Sequence, residues 1–187
     1  RWTRVLQRLL GDEYWVVDEG QNGRTTVHDD PVDGQKNGLT YLGPCLESHK
    51  PIDVVVLMLG TNDLKHRFSK TASDIAKSAG RLVYTIQKSD CGPGGAAPEV
   101  LLLAPPPVGK LTAFAEMFAG ATEKSRKLGA AYKAIAAERG CAFLDTAEVI
   151  RSSDVDGIHF DADQLPKLAD AVARRVRELT RSAAPRE

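Results

Sequence analysis

Helical and strand-like rhythms alternate along the whole chain. Trp2, Val5, Leu6, Leu9 and Leu10 recur at helical spacing and stop at Gly11, which predicts a first helix closed by a left-handed glycine. Residues 14–17 form a short apolar run, and the polar, glycine-bearing stretch 18–26 cannot continue it, so the pair reads as a strand and its loop. Residues 25–37 are rich in Asp, Gly and Pro without a period, a surface excursion. Tyr41, Leu42, Cys45, Leu46 and His49 then suggest a short helix before Pro51. The unbroken run 53–59, Asp followed by Val-Val-Val-Leu-Met-Leu, has the signature of a strand buried on both faces of a parallel sheet. Thr71-Ala72-Ser73-Asp74 resembles a capping box, and Ile75, Ala79, Leu82, Val83 and Ile86 mark the apolar stripe of the helix it opens.

A flexible connector, 91–98, leads to a strand over 100–103, and Pro105-Pro106-Pro107 forbids helix or ladder beyond it. Leu128, Ala131, Tyr132, Ile135 and Ala136 line a further helix ended by Gly140, and 141–144 is a last short strand. Residues 161–164 cap a final helix with apolar face Leu165, Leu168, Val172, Val176 and Leu179. Alternating strands and helices predict the α/β class: a doubly wound parallel sheet with right-handed crossovers, no internal repeat and no second domain. Residues 1–180 form that domain and 181–187 a polar, frayed tail. Ligands of such sheets bind outside the carboxyl ends of the strands, which singles out the loops 20–26, 60–63, 104–107 and 145–159.

Composition narrows the function classes. The 187 residues carry 25 Lys+Arg against 25 Asp+Glu, with 42% hydrophobic residues, which suits one globular core and excludes collagen-like, disordered and membrane-spanning chains. A formal charge of zero, with no basic stripe, argues against nucleic-acid or anionic-membrane partners. The longest apolar stretch, 54–59, falls far short of the ~20 residues of a spanning helix, and no signal-peptide pattern opens the chain, so the expected compartment is the cytoplasm. Cys45, Cys91 and Cys141 are odd in number and lack CxxC spacing, so they read as reduced thiols.

Two short motifs bear chemistry. In Asp156-Gly157-Ile158-His159 the glycine permits a tight turn, placing a carboxylate where it can hold one imidazole nitrogen and leave the other free as a general base. Taken alone, the motif reads more simply as a capped turn beside a surface histidine. Asn62, in Gly60-Thr61-Asn62-Asp63 after the buried strand, can aim its amide N–H at a developing oxyanion, although these are also ordinary turn residues. His28, Asp29, Asp30 and Asp33 have no recognised metal-ligand spacing and read as a structural loop, and no metal or other cofactor is expected. Phe114, Met117 and Phe118 follow the proline run at the active edge, where they fit a core, an apolar lid or acyl-pocket wall, or an oligomer contact.

Taken together, Gly20-Gln21-Asn22-Gly23, Gly60-Thr61-Asn62-Asp63 and Asp156-Gly157-Ile158-His159, each after its own strand, resemble blocks II, III and V of the SGNH (GDSL-type) hydrolases. The phrases Arg24-Thr25-Thr26, Asp29-Asp30-Pro31 and Asn37-Gly38, with the run 57–63, look like the arylesterase/acyltransferase branch. The resemblance implies a flavodoxin-like three-layer α/β/α fold. It makes His159 the general base and Asp156 its orienter, with the Asn62 side-chain amide and the Gly23 backbone N–H as oxyanion donors, and puts Thr61 beside the substrate. The implied reaction is hydrolysis of short acyl, acetyl-type esters of aryl or carbohydrate alcohols, with transfer to alcohols as a related activity, in a homo-oligomer.

One part of the pattern is absent. The family's nucleophile is the serine of a Gly-Asp-Ser block after the first, central strand, and no such tripeptide occurs here. The chain opens at Arg1-Trp2-Thr3, where the family has already passed that block. The expectation is therefore that the first strand and its serine come from an N-terminal fragment outside this chain, with a small acyl ester as the other partner. Thioesterase or lysophospholipase action, and a nucleophile-less module that binds acylated ligands without turnover, are the competing readings.

Overall fold

The computed structural model describes residues 1–183; the last four residues of the expected tail, 184–187, lie outside the described residues. Three parallel strands, β1 (Val54–Leu57), β2 (Glu99–Ala104) and β3 (Ala142–Asp145), lie in the order β1-β2-β3. Val54 pairs with Glu99 and Leu57 with Leu102, while Leu101 pairs with Ala142 and Ala104 with Asp145. Side chains alternate across the sheet as its period of two requires. Leu101 and Leu103 face helices α1 (Trp2–Leu10) and α6 (Gln164–Ala183), meeting Leu6, Leu10, Leu168 and Val172. Val100, Leu102 and Ala104 face α2 (Gly38–His49), α3 (Ala72–Gln87) and α5 (Leu128–Arg139), meeting Leu46, Ile75, Val83 and Tyr132. Both faces of β2 are therefore buried, the reason its sequence is apolar without alternation. This is the expected three-layer α/β/α arrangement.

The start signals act as read. Thr71 and Asp74 form a reciprocal capping box on α3, and Gly140 closes α5 in the left-handed conformation. Helix α2 begins at Gly38, earlier than the apolar spacing indicates, because the Asn37 side chain accepts from the N–H groups of Leu39 and Thr40. A short helix, α4 (Ala121–Ser125), has no apolar period to announce it. Helix α6 runs through Ala183, past the point at which fraying is expected. No helix among the described residues is long and apolar enough to cross a membrane.

Residues 14–17 depart from expectation. They form no ladder among the described residues. Instead the Gln7 side chain acts as a surrogate peptide group: its Nε2 donates to Tyr14 O at 2.7 Å and its Oε1 accepts from Val16 N at 2.8 Å. Trp15 is 88% exposed. The edge of β1 away from β2 also has no strand partner among the described residues, which is why Val54, Val55 and Val56 are only half-buried.

Gly60, just past β1, holds a close approach. Its φ is 123°, and a Cβ there would lie 2.2 Å from the hydroxyl of Tyr132. That hydroxyl, fully buried, donates to Leu59 O at 2.7 Å and anchors the end of β1 to α5. Gly60→Ala is expected to destabilise the protein by about 2 kcal/mol or more, through the clash and the unfavourable φ together. Thermal unfolding checks this, and a change within about 0.5 kcal/mol would contradict it.

Candidate active site

Because all three strands are parallel, the segments after β1, β2 and β3 emerge at one edge of the sheet. His159 stands there on the turn before α6. Its Nδ1 lies 2.7 Å from Asp156 Oδ2, and Asp156 Oδ1 accepts from the backbone N–H groups of Ile158 and His159 at 2.8 and 2.9 Å. Burial opposes ionisation of Asp156, but the His159 side chain and those two N–H groups outweigh it and bring its pKa down to about 2. Asp156 is thus an anion across the neutral range, and it fixes the imidazole through Nδ1. No described residue hydrogen-bonds the Nε2 of His159, whose side chain is 68% exposed.

Gly157 makes this turn possible. Its φ is 81°, and a Cβ would meet Lys110 O at 2.7 Å. Gly157 O accepts from Gly109 N at 2.8 Å and Ser153 N donates to His159 O at 2.7 Å, so the turn is clamped against the loop after β2. Glycine is thus required by the close packing of that loop as well as by the turn.

The segments bearing Gly23 and Asn62 are tied together by side chains. Asn62 Nδ2 donates one hydrogen to Arg24 O at 3.0 Å, which leaves its second hydrogen for another acceptor. Asp63, fully buried, accepts from Thr26 N at 3.0 Å and Thr26 Oγ1 at 2.5 Å. Burial pushes the Asp63 carboxyl up, against the Thr26 hydrogen bonds that favour its ionised form. By residue type Asp63 is an ordinary turn residue; its function as the latch between the 20–26 and 60–65 segments depends on a contact 37 positions away.

Beneath that latch lies an ion network. Lys65, 3% exposed, reaches Asp30 Oδ2 at 3.0 Å and Asp33 Oδ2 at 2.6 Å, and Arg67 reaches Asp30 Oδ1 at 2.9 Å. Burial works against the Asp30 charge, but the N–H groups of Val32 and Asp33 and the Lys65 ammonium hold its carboxyl well below the usual range. These carboxylates are therefore structural partners of two cations.

Of the apolar candidates, Phe114 stands edge-on to the His159 ring at a centroid distance of 5.9 Å. Met117 is half-buried and its carbonyl accepts from His66 N at 2.7 Å, joining this segment to the one that carries Asn62. Phe118, 2% exposed, is buried in the core against Phe114. Thr61 is half-buried at the start of the turn over Asn62–Leu64. Ser153, the serine whose backbone meets His159, is 4% exposed and its hydroxyl donates to Asp161 Oδ1 at 2.6 Å.

Comparisons with known proteins give the family and the fold. The sequence profile described as the GDSL-like Lipase/Acylhydrolase family matches residues 1–165. No curated protein matches the chain. Among solved structures, a carbohydrate acetylesterase from Sinorhizobium meliloti is 41% identical with a TM-score of 0.92, over 96% of this chain and 85% of that one. The aryl esterase of M. smegmatis is also 41% identical, with a TM-score of 0.91 over the same shares. A second carbohydrate acetylesterase family member from Sinorhizobium meliloti is 38% identical, with a TM-score of 0.90, over 96% of this chain and 86% of that one. The resemblance carried by the three short blocks is thereby borne out over nearly the whole length, and the chain belongs to the GDSL-like lipase/acylhydrolase family of carboxylic ester hydrolases.

Proposed function

We propose that this chain provides the base, its orienter and the oxyanion donors of a serine esterase acting on short acyl, acetyl-type esters of aryl or carbohydrate alcohols. The observation that carries the reading is the Asp156–His159 pair, bonded through Nδ1, with no hydrogen bond to Nε2 from any described residue. A serine oxygen attacks the acyl carbon as Nε2 of His159 takes its proton, and Asp156 stabilises the imidazolium that forms. The negative charge on the carbonyl oxygen is met by the Gly23 N–H and the second Asn62 amide hydrogen. His159 then returns the proton to the departing alcohol. Water attacks the acyl-enzyme in the second half-reaction, and an added alcohol competes with it, giving acyl transfer. The similarity to aryl and carbohydrate acetylesterases supports the substrate class.

The serine belongs, in this reading, to a strand that pairs along the free edge of β1, with residues 14–17 on its other side. Support comes from the edge of β1 away from β2, which has no strand partner among the described residues, and from the Gln7 amide taking ladder bonds at Tyr14 and Val16. Asn62→Ala in the complete protein is expected to lower kcat on p-nitrophenyl acetate about 10²-fold, equivalent to about 3 kcal/mol of transition-state stabilisation, with KM little changed. A loss confined to KM would contradict the oxyanion role. That no described serine hydroxyl is hydrogen-bonded to the His159 imidazole favours a second reading, a module that binds acylated ligands without turnover; Asn62→Ala would then weaken binding and leave no turnover to lose.

A further inference from the structure

Away from His159, three side chains of different donor type converge. Cys45 and His49 stand four apart on α2, so they share one face of the helix, and Glu19 comes from the extended segment before Gly20. One ligand atom from each, the Cys45 Sγ, an imidazole nitrogen of His49 and a Glu19 carboxylate oxygen, lie within 4.8 Å of one another. Nε2 of His49 is 2.7 Å from Glu19 Oε1. The other carboxylate oxygen, Oε2, accepts from the Tyr41 hydroxyl at 2.5 Å, the outer hydrogen bond that commonly orients a ligating carboxylate.

We propose that Glu19, Cys45 and His49 form a Zn²⁺ site with three protein ligands and one open position. The donor set of thiolate, imidazole and carboxylate is the one this borderline-soft ion takes, and it separates the site from those of Mg²⁺ or Ca²⁺, which select oxygen alone. A tetrahedral centre keeps its ligand atoms about 3.3–3.8 Å apart, so small side-chain rotations bring the three onto one ion and open the His49–Glu19 hydrogen bond. Binding displaces the Cys45 thiol proton to solvent and breaks no covalent bond besides that S–H. The Arg24 guanidinium, 4.1 Å from the Tyr41 ring centroid, opposes a further cation and sets a limit to the affinity. A second cluster, Glu47, Asp90 and Cys91, lacks an imidazole and has Lys50 on Glu47 at 2.7 Å, so it is a poorer candidate. An ion at the first site would cross-link α2 to the segment leading into Gly23, and it is independent of the esterase reading.

Tag-free protein, stripped with chelator, would be titrated with Zn²⁺ against a chromogenic competitor and, separately, with Co²⁺ as a spectroscopic stand-in. One equivalent of Zn²⁺ is expected to bind, and Co²⁺ to give a thiolate-to-metal charge-transfer band. Cys45→Ser should abolish that band, and His49→Ala should weaken Zn²⁺ binding at least about tenfold, with far-ultraviolet dichroism unchanged. Absence of stoichiometric binding, a Co²⁺ spectrum without the thiolate band, or equal affinity in folded Cys45→Ser and His49→Ala protein would each overturn the proposal. Should either variant fail to fold, the Co²⁺ spectrum of the unsubstituted protein decides alone.

Discussion

His159→Ala is expected to lower kcat on p-nitrophenyl acetate by about 10³-fold or more while leaving thermal stability within about 0.5 kcal/mol. Both halves follow from the same geometry. The imidazole is 68% exposed and buries little, so its loss leaves no cavity. Yet in the proposed mechanism it is the group that takes and returns the proton in each half-reaction. Asp156→Asn gives a sharper version. The Asn oxygen can still accept from the N–H groups of Ile158 and His159, so the turn persists, but an amide N–H facing Nδ1 forces the wrong tautomer. A loss of about 10⁴-fold is expected from that change. Unchanged turnover in both variants, read with Tm from thermal scans, would remove the pair from the mechanism.

Much of this site was legible because its chemistry is local. Asp156, Gly157 and His159 lie within four positions, and a turn needs no distant partner to form. The capping box on α3 and the left-handed Gly140 belong to the same class of signal. What the pattern of residues could not convey is non-local. Residues 14–17 have the composition of a strand, but a ladder needs a neighbour, and here a glutamine side chain takes that place. Asp63 looks like a turn residue until Thr26 is brought to it. Cys45 and His49 at helical spacing were a usable hint of a shared face, whereas Glu19 reaches them only through the fold. The sequence around Lys65 carries no signal of its burial, and it is 3% exposed because Asp30 and Asp33 are brought to it from more than thirty positions away.

That lysine carries the second large effect, on stability. Asp30→Ala is expected to cost about 3–5 kcal/mol, because Lys65 would keep its charge in the interior with only the partly exposed Asp33 to meet it. For a domain of this size such a loss lowers Tm by about 10 °C. Arg67 loses its partner as well, and the bonds from Val32 and Asp33 N–H to the Asp30 carboxylate disappear. Adding Lys65→Met to Asp30→Ala removes the stranded ammonium and is expected to recover part of the loss, a coupling that a double-mutant cycle reads directly. Additive losses would mean that the two groups do not stabilise one another. Since the same loop is latched to Asp63 through Thr26, Asp30→Ala is also expected to loosen the segment that carries Gly23.

The central claim is a division of labour: base, orienter and oxyanion donors from this chain, and a serine presented along the open edge of β1. Fluorophosphonate labelling of the purified protein, followed by denaturation, intact masses and peptide mapping, tests it most directly. The account predicts a single adduct on a serine outside residues 1–187, in a segment joined to this chain or held against it, and its loss in His159→Ala. An adduct on a serine within residues 1–187, or no labelled serine in any polypeptide of an active sample, would contradict it.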